Sequence, residues 1–110
     1  MIMDTVRNMV VMRFPSRAIN IGFARTAIAI FASQLDFTLD ELDEIKIAAS
    51  EAVSNAVIHG YKGREGEITV ICRLFDDVLE ITIRDEGEGI ADVEKALEPA
   101  FTTEPEERMG

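Results

Sequence analysis

Several residue types are scarce in this chain. It has one cysteine (Cys72), one histidine (His59), no tryptophan and three prolines in 110 residues. A single cysteine excludes an internal disulfide framework and a cysteine-rich zinc site. A single histidine leaves no histidine cluster to hold a metal. No apolar run reaches the ~18 residues of a membrane-spanning helix, so no membrane association is expected. The N-terminus lacks a basic cap, apolar block and cleavage pattern in that order, so the expected location is the cytoplasm. Basic residues are also few, 11 against 21 acidic ones, for a formal net charge of −10. Phosphate backbones demand Lys and Arg, so direct nucleic acid binding is not expected.

The acidity is uneven. Residues 1–35 hold Arg7, Arg13, Arg17 and Arg25 against Asp4 alone, and nearly all the acid lies beyond them. A positive N-terminal third suits an acidic protein surface, while the remainder suits a solvated exterior. Apolar residues make up 47% and charged residues 29%, an ordinary globular balance for one domain.

Hydrophobic patterning predicts the elements. Val10–Phe14 is a short apolar run before Pro15 and reads as a strand. Ser16 is placed to cap a helix over 18–35, where Ile19, Phe23, Ala27, Ile30 and Phe31 recur at helical spacing. Thr38-Leu39-Asp40-Glu41 is a capping box opening a second helix. Leu42, Ile45, Ala49, Val53 and Val57 continue it until Gly60. Residues 61–66 read as a loop, 67–75 as a strand with apolar residues on both faces, Asp76-Asp77 as a turn, and Leu79–Arg84 as a half-buried strand. Cys72, mid-strand, reads as a small core residue. A short helix is predicted over 91–98, and an irregular tail beyond it. Helices grouped ahead of an antiparallel pair predict an α+β fold, a two-layer sandwich with a three-stranded, mostly antiparallel sheet.

Two motifs carry chemistry. In the second helix Glu51, Asn55 and His59 recur every four residues, which puts Glu51 and Asn55 on one face a turn apart. A carboxamide oxygen suits Mg²⁺, and a nearby carboxylate can orient or deprotonate a nucleophile. Taken alone, the same stripe also suits the polar face of a half-buried helix. The second motif is Asp85-x-Gly87-x-Gly89 directly after a strand. A strand-end carboxylate can accept from an exocyclic amine, and glycines let backbone approach a ring or a phosphate. Alone, it is equally an acidic turn. It is not the dinucleotide fingerprint, which needs a third glycine and a phosphate-binding helix.

Together, E-x-x-x-N-A-x-x-H-G on a helix, a hairpin, then R-D-E-G-x-G-I and a threonine-rich tail form a specific order. That order resembles the ATP-binding domain shared by DNA gyrase, Hsp90 chaperones, histidine kinases and MutL proteins. Ser50–Tyr61, Arg84–Ile90 and Phe101-Thr102-Thr103-Glu104-Pro105, with Phe14, Ser16, Phe23-Ala24-Arg25 and Gln34-Leu35-Asp36, resemble the sporulation anti-sigma factors. These are serine-protein kinases of the anti-sigma switch family, and the likeness covers roughly residues 10–110.

The resemblance implies a Bergerat-type ATP-binding fold and a set of roles. Glu51 would be the general base and Asn55 the Mg²⁺ ligand. Asp85 would accept from the adenine amino group, with Gly87 and Gly89 allowing close approach. Thr102, Thr103 and Arg108 would belong to the ATP lid, and His59 would lie near the phosphates. Arg25 would face a protein partner. The implied cofactors are ATP/ADP and Mg²⁺, and the implied partners are a sigma factor, an anti-anti-sigma factor bearing the substrate serine, and a second copy in a homodimer. Read as a single domain over 1–110, the chain stops at Arg108-Met109-Gly110, where that family's second glycine box begins, with the C-terminal part missing. Three other readings stay open: a histidine-kinase-type catalytic domain, a stress-response switch kinase, and a non-catalytic nucleotide-binding module.

Overall fold

The computed structural model describes residues 5–60, 64–85 and 93–97, the last as backbone only. Strand β1 (Asn8–Pro15) leads into helix α1 (Ile19–Ala32) and helix α2 (Leu39–Asn55), which runs on through a π-helical turn, Ala56–Gly60. Strands β2 (Glu67–Leu74), β3 (Leu79–Asp85) and β4 (Val93–Leu97) complete one antiparallel sheet in the order β1-β2-β3-β4. The architecture is the expected two-layer α+β sandwich, with both helices on one face of the sheet.

Register places Val10, Cys72 and Ile81 side by side, then Met12, Val70 and Ile83, then Phe14, Ile68 and Asp85. These residues form the inner face, where Ile68, Val70 and Cys72 are fully buried. The alternate residues Met9, Val11 and Arg13 of β1 face outward and are exposed. Strand periodicity of two therefore decides which residues meet the helices. Burial also pushes the Cys72 thiol up to about 11.

The second helix begins as predicted. The Thr38 hydroxyl accepts from the Glu41 N–H at 3.0 Å, and the Glu41 carboxylate accepts from the Thr38 N–H at 2.8 Å. Both donors would otherwise be orphans of the first turn. The helical run does reach Gly60, but its last five residues widen into a π turn, a distortion that tends to occur at functional sites.

Three expectations are corrected. Ser16 does not cap α1, whose N-cap residue is Ala18 and which has no side-chain cap. Its Oγ instead accepts from the Gly66 N–H, and its own N–H donates to the Gly66 carbonyl, both at 2.9 Å. That pair ties the start of α1 to the approach of β2. The predicted apolar face of α1 is wrongly phased. Ala24, Ile28 and Ala32 are buried, whereas Ile19, Phe23 and Ile30 are 82%, 56% and 66% exposed. The helix is apolar almost all round, so small residues that allow close packing against α2 select the inner face. Finally, residues 93–97 form a strand rather than part of a helix, and the sheet has four strands among the described residues. Glu, Lys, Ala and Leu favour a helix locally. A run this short makes a marginal helix, while the open edge of β3 offers a full ladder of hydrogen bonds.

Candidate functional site

The residues of interest lie on the solvent side of α2. Ile45, Ala49 and Val53 point into the core. Ser50, Glu51, Ser54 and Asn55 therefore turn toward α1 and the surface. Glu51 and Asn55, one turn apart, share a groove of about 510 Å³ with Ile21, Ser50 and Ser54. Both side chains are exposed there, free to meet a ligand.

A second groove, of about 610 Å³, runs the other way along the α1–α2 seam. It is lined by Arg25, Thr26, Asp43, Lys46, Ile47, Ser50 and Glu51. Arg25 is exposed and folds back over Gly22, where its guanidinium lies 3.6 Å from the position of an added Cβ. The fold thus brings Glu51 next to Asn55 on one side and to Arg25 on the other. Glu51 and Ser50 are the two residues common to both grooves.

Ser50 is unusual in another respect. Its Oγ is buried and is the one such side-chain polar atom among the described residues with no hydrogen-bond partner. A buried hydroxyl without a partner costs about 1–3 kcal/mol.

Asp85 ends β3 on the inner face, 6% exposed, opposite Ile68. A buried carboxylate needs a partner, and Asp85 is engaged within the fold. The π turn packs against β3, so the end of α2 and the strand bearing Asp85 are neighbours. His59 sits exposed in that turn and lines neither groove. Gly87, Gly89, Thr102, Thr103 and Arg108 lie outside the described residues.

No cluster of three or more His, Cys, Asp or Glu side chains suitable for a metal occurs among the described residues. Mg²⁺ is commonly held by one or two protein oxygens, with phosphates and water completing its shell. The Asn55 carboxamide, exposed in a groove beside a carboxylate, is a donor of that kind. Among the described residues no helix is long and apolar enough to cross a membrane.

Sequence reasoning did not single out Ser50, Ser54, Ile21 or the Asp43–Lys46–Ile47 wall. The signal was partly present: Ser50 and Ser54 stand one residue before Glu51 and Asn55. Which of these face α1 depends on how the two helices pack, and one sequence does not carry that.

A surface of another kind lies at the edge of the sheet. Among the described residues, strand β1 is the terminal strand of the sheet and pairs with β2 alone. Phe23 of α1 stacks edge-to-face on Phe14 of β1, with ring centroids 6.3 Å apart. Ala27, Ile30 and Phe31 line an apolar groove with Val10 and Met12. Strand edge and helix stripe form one continuous apolar margin.

The family model described as "Histidine kinase-like ATPase domain" matches residues 14–110. The chain is 50% identical over 107 residues to the anti-sigma F factor of Geobacillus kaustophilus, covering 96% of this chain and 73% of that protein. It is 49% identical over 104 residues to the anti-sigma F factor of Caldanaerobacter subterraneus subsp. tengcongensis, covering 94% and 73%. It is 45% identical over 106 residues to the anti-sigma F factor of Clostridium acetobutylicum, covering 96% and 74%.

Proposed function

The chain belongs to the histidine kinase-like ATPase family and, within it, to the anti-sigma F factors, and on that premise we propose that it binds and inhibits a sporulation sigma factor and uses MgATP to phosphorylate a serine of its anti-anti-sigma antagonist. The observation that carries the kinase reading is the placement of Glu51. This carboxylate stands where two grooves meet, one leading to Asn55 and the other to Arg25. A phosphoryl-transfer enzyme needs such a junction, because nucleotide and protein acceptor must approach one base from different sides.

In this reading Glu51 takes the proton from the acceptor serine hydroxyl. The serine oxygen bonds to the γ-phosphorus, and the bond from that phosphorus to the bridging oxygen breaks, its electron pair leaving on ADP. Asn55 would hold Mg²⁺ by its carboxamide oxygen, and the ion would supply positive charge to offset that of the phosphates. Asp85 accepts from the adenine amino group and so selects adenine over guanine. Gly87 and Gly89 allow the backbone to approach the nucleotide, and Thr102, Thr103 and Arg108 close over the phosphates. Arg108 supplies a charge-assisted donor to the terminal phosphate. His59 flanks the phosphates from the end of α2. Arg25 contacts the protein partners, helped by the positive balance of residues 1–35. Two chains pair through the margin formed by β1 and the Phe23–Ile30 stripe, which suits an edge strand beside exposed apolar side chains. The protein works in the cytoplasm.

Incubation with γ-labelled ATP and the anti-anti-sigma protein tests the reaction. Acid-stable phosphoserine on the acceptor is expected. Acid-labile phosphohistidine would favour a histidine kinase, and no transfer alongside tight nucleotide binding would favour a non-catalytic module. The Glu51→Ala protein should lose ~10²–10⁴-fold in transfer while retaining nucleotide. Collapse of nucleotide binding in that variant would make Glu51 structural.

A further inference from the structure

We infer that Ser50 positions the acceptor segment for phosphoryl transfer; the inference rests on the kinase reading above. Ser50 and Glu51 are the two residues that line both grooves. If nucleotide occupies the side of Asn55, the acceptor serine arrives from the side of Arg25 and Lys46. To reach Glu51 along that groove, the acceptor segment passes over Ser50.

The hydroxyl of Ser50 is free to take part. A serine within a helix often bonds back to the carbonyl four residues earlier. Ser50 does not, and its Oγ lies buried in the α1–α2 seam with no partner. The residue as a whole is only half-buried. Rotation about χ1 between staggered positions carries the hydroxyl from the seam toward the grooves that Ser50 lines. The acceptor backbone beside the reacting serine presents N–H and C=O groups, and a hydroxyl can satisfy either. Ser50 thus gains its missing hydrogen bond when the acceptor docks. That bond holds the acceptor hydroxyl against Glu51, which remains the base that removes its proton.

The bond is made to the acceptor chain and not to the nucleotide. Transfer to protein and hydrolysis by water should therefore respond differently to its loss. Ser50→Ala and Ser50→Thr are compared with the wild type in thermal unfolding, MgATP binding by calorimetry, ATP hydrolysis without acceptor, and transfer to the anti-anti-sigma protein.

The Ser50→Ala protein should unfold at the same temperature or higher, because an unsatisfied buried hydroxyl has been removed. Its kcat for transfer should fall ~10-fold further than its rate of ATP hydrolysis. Ser50→Thr keeps the hydroxyl and should restore transfer to within ~3-fold. Should the added methyl lower its unfolding temperature, the alanine variant decides alone, by the gap between transfer and hydrolysis. Equal transfer by wild type and Ser50→Ala overturns the inference and leaves the kinase reading intact. A parallel fall in transfer, hydrolysis and nucleotide affinity also overturns it, and makes Ser50 a packing residue. A wild type that binds MgATP but transfers nothing overturns both.

Discussion

Helix α2 carries Ser50, Glu51 and Asn55, and its first turn is held by the Thr38–Glu41 capping box. Replacing Thr38 with alanine removes one acceptor and leaves the Glu41 N–H unpaired. Loss of an N-cap typically costs about 1 kcal/mol, with a range of about 0.5–2. Here Glu41 is 7% exposed, so water cannot readily take the place of the hydroxyl, and about 1.5 kcal/mol is expected. For 110 residues the unfolding entropy is about 0.23 kcal/mol per degree, which converts that loss to about 6 °C in Tm. Differential scanning calorimetry of wild type, Thr38→Ala, Glu41→Ala and the double variant reads it directly. The two side chains act as one device, so the double variant should cost at least about 0.5 kcal/mol less than the sum of the singles. Nucleotide affinity should not change, because Thr38 lies more than four turns from Asn55 along the helix. An unchanged Tm, or strictly additive losses, would refute the assignment of α2 stability to this box.

Three further outcomes are expected. Ile30→Glu places a charge on a 66% exposed position of the apolar margin; light scattering should then report a monomer where the wild type is a dimer, and an unchanged mass excludes that margin as the interface. Cys72 should resist thiol reagents at pH 8 until the protein is unfolded, because its thiol is pushed up to about 11 from an ordinary 9.0; the folded state then holds its proton more tightly than the unfolded state, so stability should fall as pH rises from about 9 toward 11, and rapid labelling of the native protein would contradict this burial. Asp85→Asn should abolish the preference for ATP over GTP in calorimetric titration, and retained selectivity would remove Asp85 from adenine recognition.

Legibility in the sequence followed how local each signal was. The capping box was readable because both of its hydrogen bonds lie within four residues. The β2–β3 hairpin was readable because alternation and turn residues agree over 67–85. The inner face of α1 was not, since a helix that is apolar nearly all round has no phase of its own. Ala24 and Ala32 face inward because they allow α2 close, a property of the pair of helices. Strand β4 was hidden for a related reason: its residues favour a helix, and the edge of β3 overrides them. Ser16 looked like a cap by position, but Gly66, fifty residues away, claims its hydroxyl. Glu51, Asn55 and Asp85 stand out by spacing, but the roles expected of them come from the resemblance and not from the spacing. The second groove could not, because it exists only where Arg25 of one helix comes alongside Asp43 and Lys46 of the other.

The pairing of α1 with α2 therefore shapes both the core and the chemistry. Buried alanines on both helices, Ala24 and Ala32 on one and Ala49 on the other, let the seam close tightly over the sheet. Close packing on the inner side tilts the neighbouring polar residues of α2 outward along the same seam. Ser50, which follows buried Ala49, is half-buried, and Glu51 beside it is exposed. Larger residues at the alanine positions would separate the helices, widen both grooves and remove the constraint that brings Glu51 within reach of each. The placement of Glu51, the base we propose, is thus set by small side chains in the helix seam.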